Sequence, residues 1–255
     1  MYAEHKVFVS PNEDQRIWRY LSMSKLVSLL STGSLWFARQ DTLGDPHEGS
    51  MTVYNLRMRP EWYPGASPAT SDQLVTLRRA RVRAAFVSCW HMNETESMAM
   101  WDIYAGRGES VAISSTFRQL RDSLVDVNRI YIGQVQYIDP NTEAVPESNL
   151  LYQTTHKRKA YEYERELRAV IDRFDAQDWA KEQPLGLPVE CRLEELVESI
   201  YVSPTAPPWF LESVEARGCC VRLQLARSRV LPLGAPCLLT GPNVSQGSRD
   251  SLDRL

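Results

Sequence analysis

The run YEYERELR, residues 161–168, places Glu164, Glu166 and Arg168 two apart. In an extended chain, side chains at that spacing share one face, so two carboxylates and a guanidinium would line one side of a strand. Carboxylates that close disfavour each other's ionisation, and Arg168 is placed to hold both charged. Such a set suits a ribose hydroxyl or a metal, and it equally suits a solvent-facing strand of alternating charge. A second group, Asp41, Asp45, His47 and Glu48, crowds the turn DTLGDPHEGS, where Pro46 and Gly49 can aim side chains without sheet pairing. The simplest role for Asp45 is an Asx-type bond within that turn. A third group spans residues 88–104 and gathers Trp90, His91, Glu94, Glu96, Trp101 and Tyr104. Its aromatic planes suit stacking on a base or nicotinamide, and a helix start near Asn93 could receive a phosphate. Glu94 and Glu96 would repel that phosphate and stabilise the helix dipole unaided, and Met98, Met100 and Trp101 have the character of core residues.

Other chemistries lack their signs. His47, His91, Cys89 and the nearby acids follow no HExxH or CxxC spacing, so no metal is favoured. No GxxxxGK[ST], GxGxxG or GxSxG string occurs, which leaves P-loop, dinucleotide-fold and hydrolase-elbow chemistry without support.

Elements able to position these groups can be read in order. IWRYL, residues 17–21, predicts a strand, and SMSKLVSLLSTG a helix that Ser22 or Ser24 caps, that buries Leu26, Leu29 and Leu30, and that ends at a left-handed Gly33. LWFAR follows as a strand. Residues 57–70, rich in Pro and Gly, predict a surface loop. A helix capped by Ser71 then carries Arg78, Arg79, Arg81 and Arg83 on a solvated face or against phosphates. FVSCW predicts a strand, and Asn93 with Glu96 a capping box opening a helix buried on most sides. ESVAISS and RIYIGQVQYI are strands around the short helix TFRQLRDSL. Residues 147–163 predict a helix that is basic at HKRK, and ELRAVID a strand. CRLEELVESIYVSP turns from helix to strand, PPWFLESVEARG is helical, and CCVRLQLA is a last strand.

The expected fold class is therefore α+β, a single mixed or antiparallel sheet core with flanking helices. Residues 1–15 form an N-terminal segment, 16–232 one domain, and 233–255 a loosely ordered tail. The chain of 255 residues is 43% hydrophobic and 24% charged, ordinary for a globular domain. It has no apolar run long enough for a membrane span and no signal-peptide core, which predicts a cytoplasmic protein. Five cysteines without a CxxC pair suggest buried thiols rather than disulfides or zinc. A net charge of −3 argues against coating nucleic acid through bulk electrostatics and leaves room for a local basic patch.

Four segments taken in order, WRYLSMSKLVSLLSTGSLWFARQDTLGDPHEG, VSCWHMNETESMAMWDIYAGRGESVAISST, HKRKAYEYERELRAVI and LEELVESIYVSPTAPPWF, resemble a bacterial family, domain of unknown function twenty-nine seventy-one. The resemblance covers residues 16 to about 232. More distantly, a first strand with an arginine, a helix, an aromatic second region and a late Glu-x-Glu look like the layout of ADP-ribosyltransferase-like proteins. That resemblance implies NAD as substrate. It gives Arg19 the task of orienting NAD, Trp90, Trp101 or Tyr104 that of packing on nicotinamide, and Glu166 with Glu164 that of binding ribose and stabilising an oxocarbenium ion. His91 and Arg168 would belong to the same binding set. The Ser-Thr-Ser motif of one subgroup has only a loose match in Ser114-Ser115-Thr116. An NAD-consuming toxin or phage-defence effector is the reading this supports, with a nucleic-acid or protein acceptor approaching Arg78–Arg83 and Lys157–Lys159. Two others stay open: a metal-dependent nuclease or phosphodiesterase using Asp45, Glu48, Glu94, Glu96, Glu164 and Glu166, and a non-catalytic module that binds a nucleotide or a protein.

Overall fold

A run rich in β-branched and aromatic residues makes Arg16–Ser22 the strand β1, and the amphipathic run Met23–Thr32 follows as helix α1 in the computed structural model, which describes residues 1–106, 108–175, 181–218 and 225–227. Leu26 and Leu29 are buried, and Gly33 closes the helix at φ 60° with its N–H on the Leu29 carbonyl. That left-handed conformation is the one glycine adopts without penalty. Ser34–Arg39 forms β2. After the DPHEG turn come α2 (Val53–Trp62), α3 (Pro68–Ala84) and β3 (Ala85–Met92). A short α4 (Met98–Met100) and a π-helical turn (Trp101–Ala105) lead to β4 (Ser110–Thr116), α5 (Phe117–Ser123), β5 (Ile130–Gln134) and β6 (Gln136–Ile138). Then follow α6 (Tyr152–Thr155), β7 (His156–Arg158), a 3-10 turn (Lys159–Glu164) and β8 (Glu166–Asp172). The remaining elements are β9 (Gly186–Glu190), α7 (Leu193–Leu196), β10 (Ser199–Val202), α8 (Pro208–Gly218) and β11 (Leu225–Arg227).

The main sheet runs β11-β10-β4-β1-β3-β2-β9, with β8 on β3 and β5 on β8. All these pairs are antiparallel except β10 with β11, so the fold is α+β with a mainly antiparallel sheet. A separate parallel pair joins β6 to β7. One edge of β3 is fully occupied by β8, from Ala85–Asp172 to His91–Glu166. The other edge is shared: β1 pairs at His91 and Met92, and β2 at Phe86 and Val87. Between them, Ser88–Trp90 face a fork where β1 and β2 part. One face of the sheet carries the main core, including Ile17, Phe86, Trp90, Leu167 and Ile171. The opposite face carries two smaller clusters, one with Val87 and Val170, the other with Trp18, Tyr20 and Trp101. Among the described residues no helix is long and apolar enough to cross a membrane.

Several elements differ from expectation for identifiable reasons. The loop predicted over 57–70 is partly helix, because Thr52 caps α2 by accepting the Asn55 N–H at 3.0 Å and the helix continues two residues past Pro60. Ser97, not Asn93, caps α4, and the π turn breaks the 3.6-residue period. Met100 and Trp101 are therefore buried, whereas Met98, Ile103 and Tyr104 are exposed. The helix expected over 147–163 is split into α6, β7 and a 3-10 turn. Strand β9 has no clear signal in the sequence, since Pro188 argues against a strand except at an edge, which is where β9 lies. The tail 233–255 and Cys219, Cys220 and Cys237 lie outside the described residues.

Candidate functional site

Glu164 and Glu166 come together through a kink, not through one extended strand. Glu164 ends the 3-10 turn, Arg165 takes a left-handed φ of 41°, and β8 begins at Glu166. Both carboxylates then reach one ammonium: Lys157 Nζ donates to Glu164 Oε2 and lies 3.4 Å from Glu166 Oε2. Arg168 was expected to hold both acids of the Glu-x-Glu pair. Instead it grips Glu166 through Nε and Nη2 at 2.9 and 3.0 Å, and Glu48 through Nη1 and Nη2 at 2.6 and 3.2 Å. Its Nη1 also donates to the Thr154 carbonyl at 3.0 Å. Arg168 is completely buried, and removing one partner from such a group typically costs ~3–5 kcal/mol because a charge is left unmatched.

The two carboxylates sit in opposed electrostatic environments. Burial pushes the Glu166 pKa up, but the charges of Arg168 and Lys157 and the Arg168 hydrogen bond outweigh it and bring the group down to about 2. Burial also raises Glu164, and there it prevails over the hydrogen bonds from Lys157 and Tyr104. Tyr104 Oη donates to Glu164 Oε1 at 2.5 Å, and burial together with that carboxylate raises the phenol's pKa far above its ordinary value. Burial first, and then the negative charge of Glu166, raises the pKa of the Cys89 thiol. His91 Nδ1 lies 2.6 Å from the Glu164 carbonyl oxygen.

The DPHEG turn is built into this network. Asp45 makes the expected Asx bond, accepting the His47 N–H at 2.9 Å, and also takes two bonds from Arg158 at 3.2 and 2.7 Å. Gln40 donates to Glu48 and to the Gln153 carbonyl at 3.0 and 2.8 Å, while Gln153 donates to the Gly49 carbonyl at 2.6 Å. Beside the turn lies a cavity of about 230 Å³ lined by Asp45, Glu48, Met51, Val145, Lys157 and Arg158 among others. A second cavity of about 360 Å³ lies behind the kink, lined by Glu94, Arg165 and Tyr137 among others. The Tyr137 hydroxyl accepts the Glu166 N–H at 2.8 Å.

Other expected members are placed elsewhere. Arg19 and Trp90 point to the main-core face, opposite Glu166 and Arg168. Arg19 donates to the Ser88 hydroxyl and, at 3.0 Å, to the Trp36 carbonyl, and its guanidinium lies 5.6 Å from the Trp90 ring centre. Burial lowers its pKa. Trp101 is buried edge-on against Tyr20, with ring centres 5.0 Å apart, and donates to Glu96 at 3.0 Å. Arg19, Trp101 and Glu166 therefore do not converge. Tyr104, three residues beyond Trp101, is the aromatic group that reaches the carboxylates. Glu94 accepts from Gln15 at 3.3 Å in the second cavity, away from the Lys157 ammonium. The arginine helix is not a uniform solvated face: Arg78 pairs with Glu147 at 3.7 Å and Arg81 with Asp172 at 2.8 Å, both buried. In the sequence Lys157 stands within a basic run, and nothing in the spacing of Cys89 or Tyr137 marks them as neighbours of Glu166. Among the described residues no group of three or more His, Cys, Asp or Glu is arranged to hold a metal.

The fold and site define a protein with a mainly antiparallel α+β sheet and a buried carboxylate–cation network on one face. No family model matches the chain, and no curated protein matches it in sequence. Among solved structures, it is similar to Thermus sp. 2.9 DarT in complex with NAD+, at 10% identity over 86% of this chain and 97% of that one, with a TM-score of 0.39. It is also similar to Thermus sp. 2.9 DarT in complex with ADP-ribosylated ssDNA, at 11% identity over 86% and 96% of the two chains, with a TM-score of 0.38.

Proposed function

We propose that the chain is an ADP-ribosyltransferase-like enzyme that consumes NAD as its substrate. One observation carries the reading: two buried carboxylates share the Lys157 ammonium and are driven to opposite protonation preferences. Titratable groups whose environments push them apart mark an acid–base division of labour. Breaking the nicotinamide–ribose bond sends the electron pair to the nicotinamide ring and leaves positive charge on the ribose. Glu166, held ionised and oriented by Arg168, is the fixed anion that stabilises this charge. Glu164 has the higher proton affinity and takes the proton that the acceptor loses as it bonds to the ribose carbon. The half-exposed Tyr104 ring reaches the Glu164 carboxylate through its hydroxyl.

Purified protein incubated with NAD and with nucleic-acid or protein acceptors tests this, with free nicotinamide and adducts followed by chromatography and mass spectrometry. The expected result is nicotinamide release with an ADP-ribose mass added to acceptor or water. Neither nicotinamide nor adduct under any of these conditions would overturn it. Expression in cells is expected to arrest growth if the protein is a toxin or phage-defence effector.

A second reading, a non-catalytic nucleotide-binding module, is favoured by the near-complete burial of Glu164, Glu166 and Arg168, whose hydrogen bonds are largely satisfied within the chain. It predicts a rise in melting temperature with nucleotide and no nicotinamide release.

A further inference from the structure

His156 opens β7, lines the cavity beside the DPHEG turn and is only 7% exposed. Its Nδ1 lies 3.0 Å from the Tyr152 carbonyl oxygen and 3.2 Å from the Thr155 hydroxyl. A carbonyl oxygen can only accept, so Nδ1 is the donor and carries the ring proton. Burial lowers the pKa of the ring and keeps it neutral, which leaves Nε2 as a lone-pair acceptor. No described residue bonds Nε2, so it is the polar atom that the ring has left for the cavity. Acceptors this deep are rarely left unmatched, because the lost hydration is not regained.

The rest of the lining narrows what could bring the missing donor. Met51, Val53, Ile138, Pro140 and Val145 give the cavity an aliphatic wall. Its acids and bases are already matched within the chain: Asp45 by Arg158 at 2.7 Å, Glu48 by Arg168 at 2.6 Å, and Lys157 by Glu164. A charged occupant would have to break one of these pairs or lie beside them unmatched, and both are costly away from water. Thr52 spends its hydroxyl on Asn55, donating to Oδ1 at 2.6 Å and accepting the N–H at 3.0 Å. An uncharged molecule with an apolar body and one donor meets none of these penalties. The volume of about 230 Å³ falls below the roughly 300–1,000 Å³ of pockets that hold drug-sized ligands, which limits the occupant to one ring or two fused rings.

We infer that this cavity is a binding site for a small uncharged N–H heterocycle or phenol, whose apolar body lies on the aliphatic wall and whose donor is accepted by His156 Nε2. The site touches the carboxylate network through Lys157 and Glu48, but it does not depend on the NAD-consuming reading, and neither outcome below bears on nicotinamide release.

Nitrogen NMR of protein labelled with ¹⁵N-histidine tests this with a matched series: indole, 1-methylindole without the donor, indole-3-carboxylate as an anion and tryptamine as a cation. The chain has four histidines, and His156→Gln identifies the resonances of ring 156. The free protein is expected to show ring 156 protonated at Nδ1 and bare at Nε2. Indole is expected to move the Nε2 resonance in the direction of hydrogen bonding, and 1-methylindole, binding about three- to tenfold more weakly, is not. The two charged analogues are expected to bind more weakly than indole. In His156→Phe, shown folded by its melting curve, indole is expected to lose its advantage over 1-methylindole. A free ring protonated at Nε2 overturns the inference, and so does an Nε2 resonance that indole leaves unmoved up to its solubility. Equal binding of indole and 1-methylindole to the parent, or tighter binding of either charged analogue, overturns it as well.

Discussion

Glu166 and Glu164 share one cation yet respond to pH in opposite directions. Glu166 falls from its ordinary 4.5 to about 2 on folding, so its contribution to stability is present above about pH 4.5 and is lost as pH drops toward 2. The shift corresponds to about 3 kcal/mol at most. Glu164 is raised, so folding favours its protonated form, and its contribution declines as pH climbs from 4.5 through its folded value. Urea melts between pH 7 and 3 are expected to show the parent weakening below pH 4.5 and Glu166→Gln, though less stable at neutrality, weakening less. If the two slopes are equal, Glu166 is not held ionised as described. Tyr104→Phe removes a donor that favours the charged Glu164. The acid limb of the kcat/KM profile for nicotinamide release should then move to higher pH; an unmoved limb would mean that Glu164 is not the group that accepts the proton.

The DPHEG turn shows why elements matter beyond their own residues. Gly49 has φ +67°, and a Cβ there would stand 2.5 Å from Val82 Cγ2. Gly49→Ala is therefore both strained and overpacked, and is expected to cost about 1–3 kcal/mol. A lower urea midpoint at unchanged m would show it, and a midpoint equal to the parent's would contradict the tight approach of α3. Most elements are legible, because β2 and β8 alternate, β1 and β4 are rich in β-branched or aromatic residues, and α1 and α5 carry their own end signals. Residues that defeat a local pattern were not: Pro60 inside α2, Pro188 in an edge strand, and the π turn that exposes Tyr104 while burying Trp101. The Glu-x-Glu pair was legible by type, but the geometry behind it depends on a left-handed Arg165 that no spacing rule anticipates.

Across the whole molecule, the site is made by contacts distant in sequence. Arg168 meets Glu48 across 120 positions and Arg158 meets Asp45 across 113, and a single sequence gives no pairing rule for such ion pairs. The sheet's two faces could be assigned by alternation, but which face gathers the acids depends on β3 pairing with β8. Arg19 follows the opposite face into the fork between β1 and β2. Arg19→Met is thus expected to leave the KM for NAD within about twofold, whereas Arg168→Met, which strands two buried carboxylates, is expected to abolish turnover and lower stability by ~3–5 kcal/mol. A tenfold rise in KM for Arg19→Met would show that the substrate reaches the fork. The central claim, that Glu166 is the anion facing the developing ribose charge, is tested most directly by the initial rate of nicotinamide release from NAD for the parent and for Glu166→Gln, each shown folded by its melting curve. The account predicts a loss of about 10²–10³-fold for the variant; a folded Glu166→Gln that releases nicotinamide at the parent's rate would contradict it.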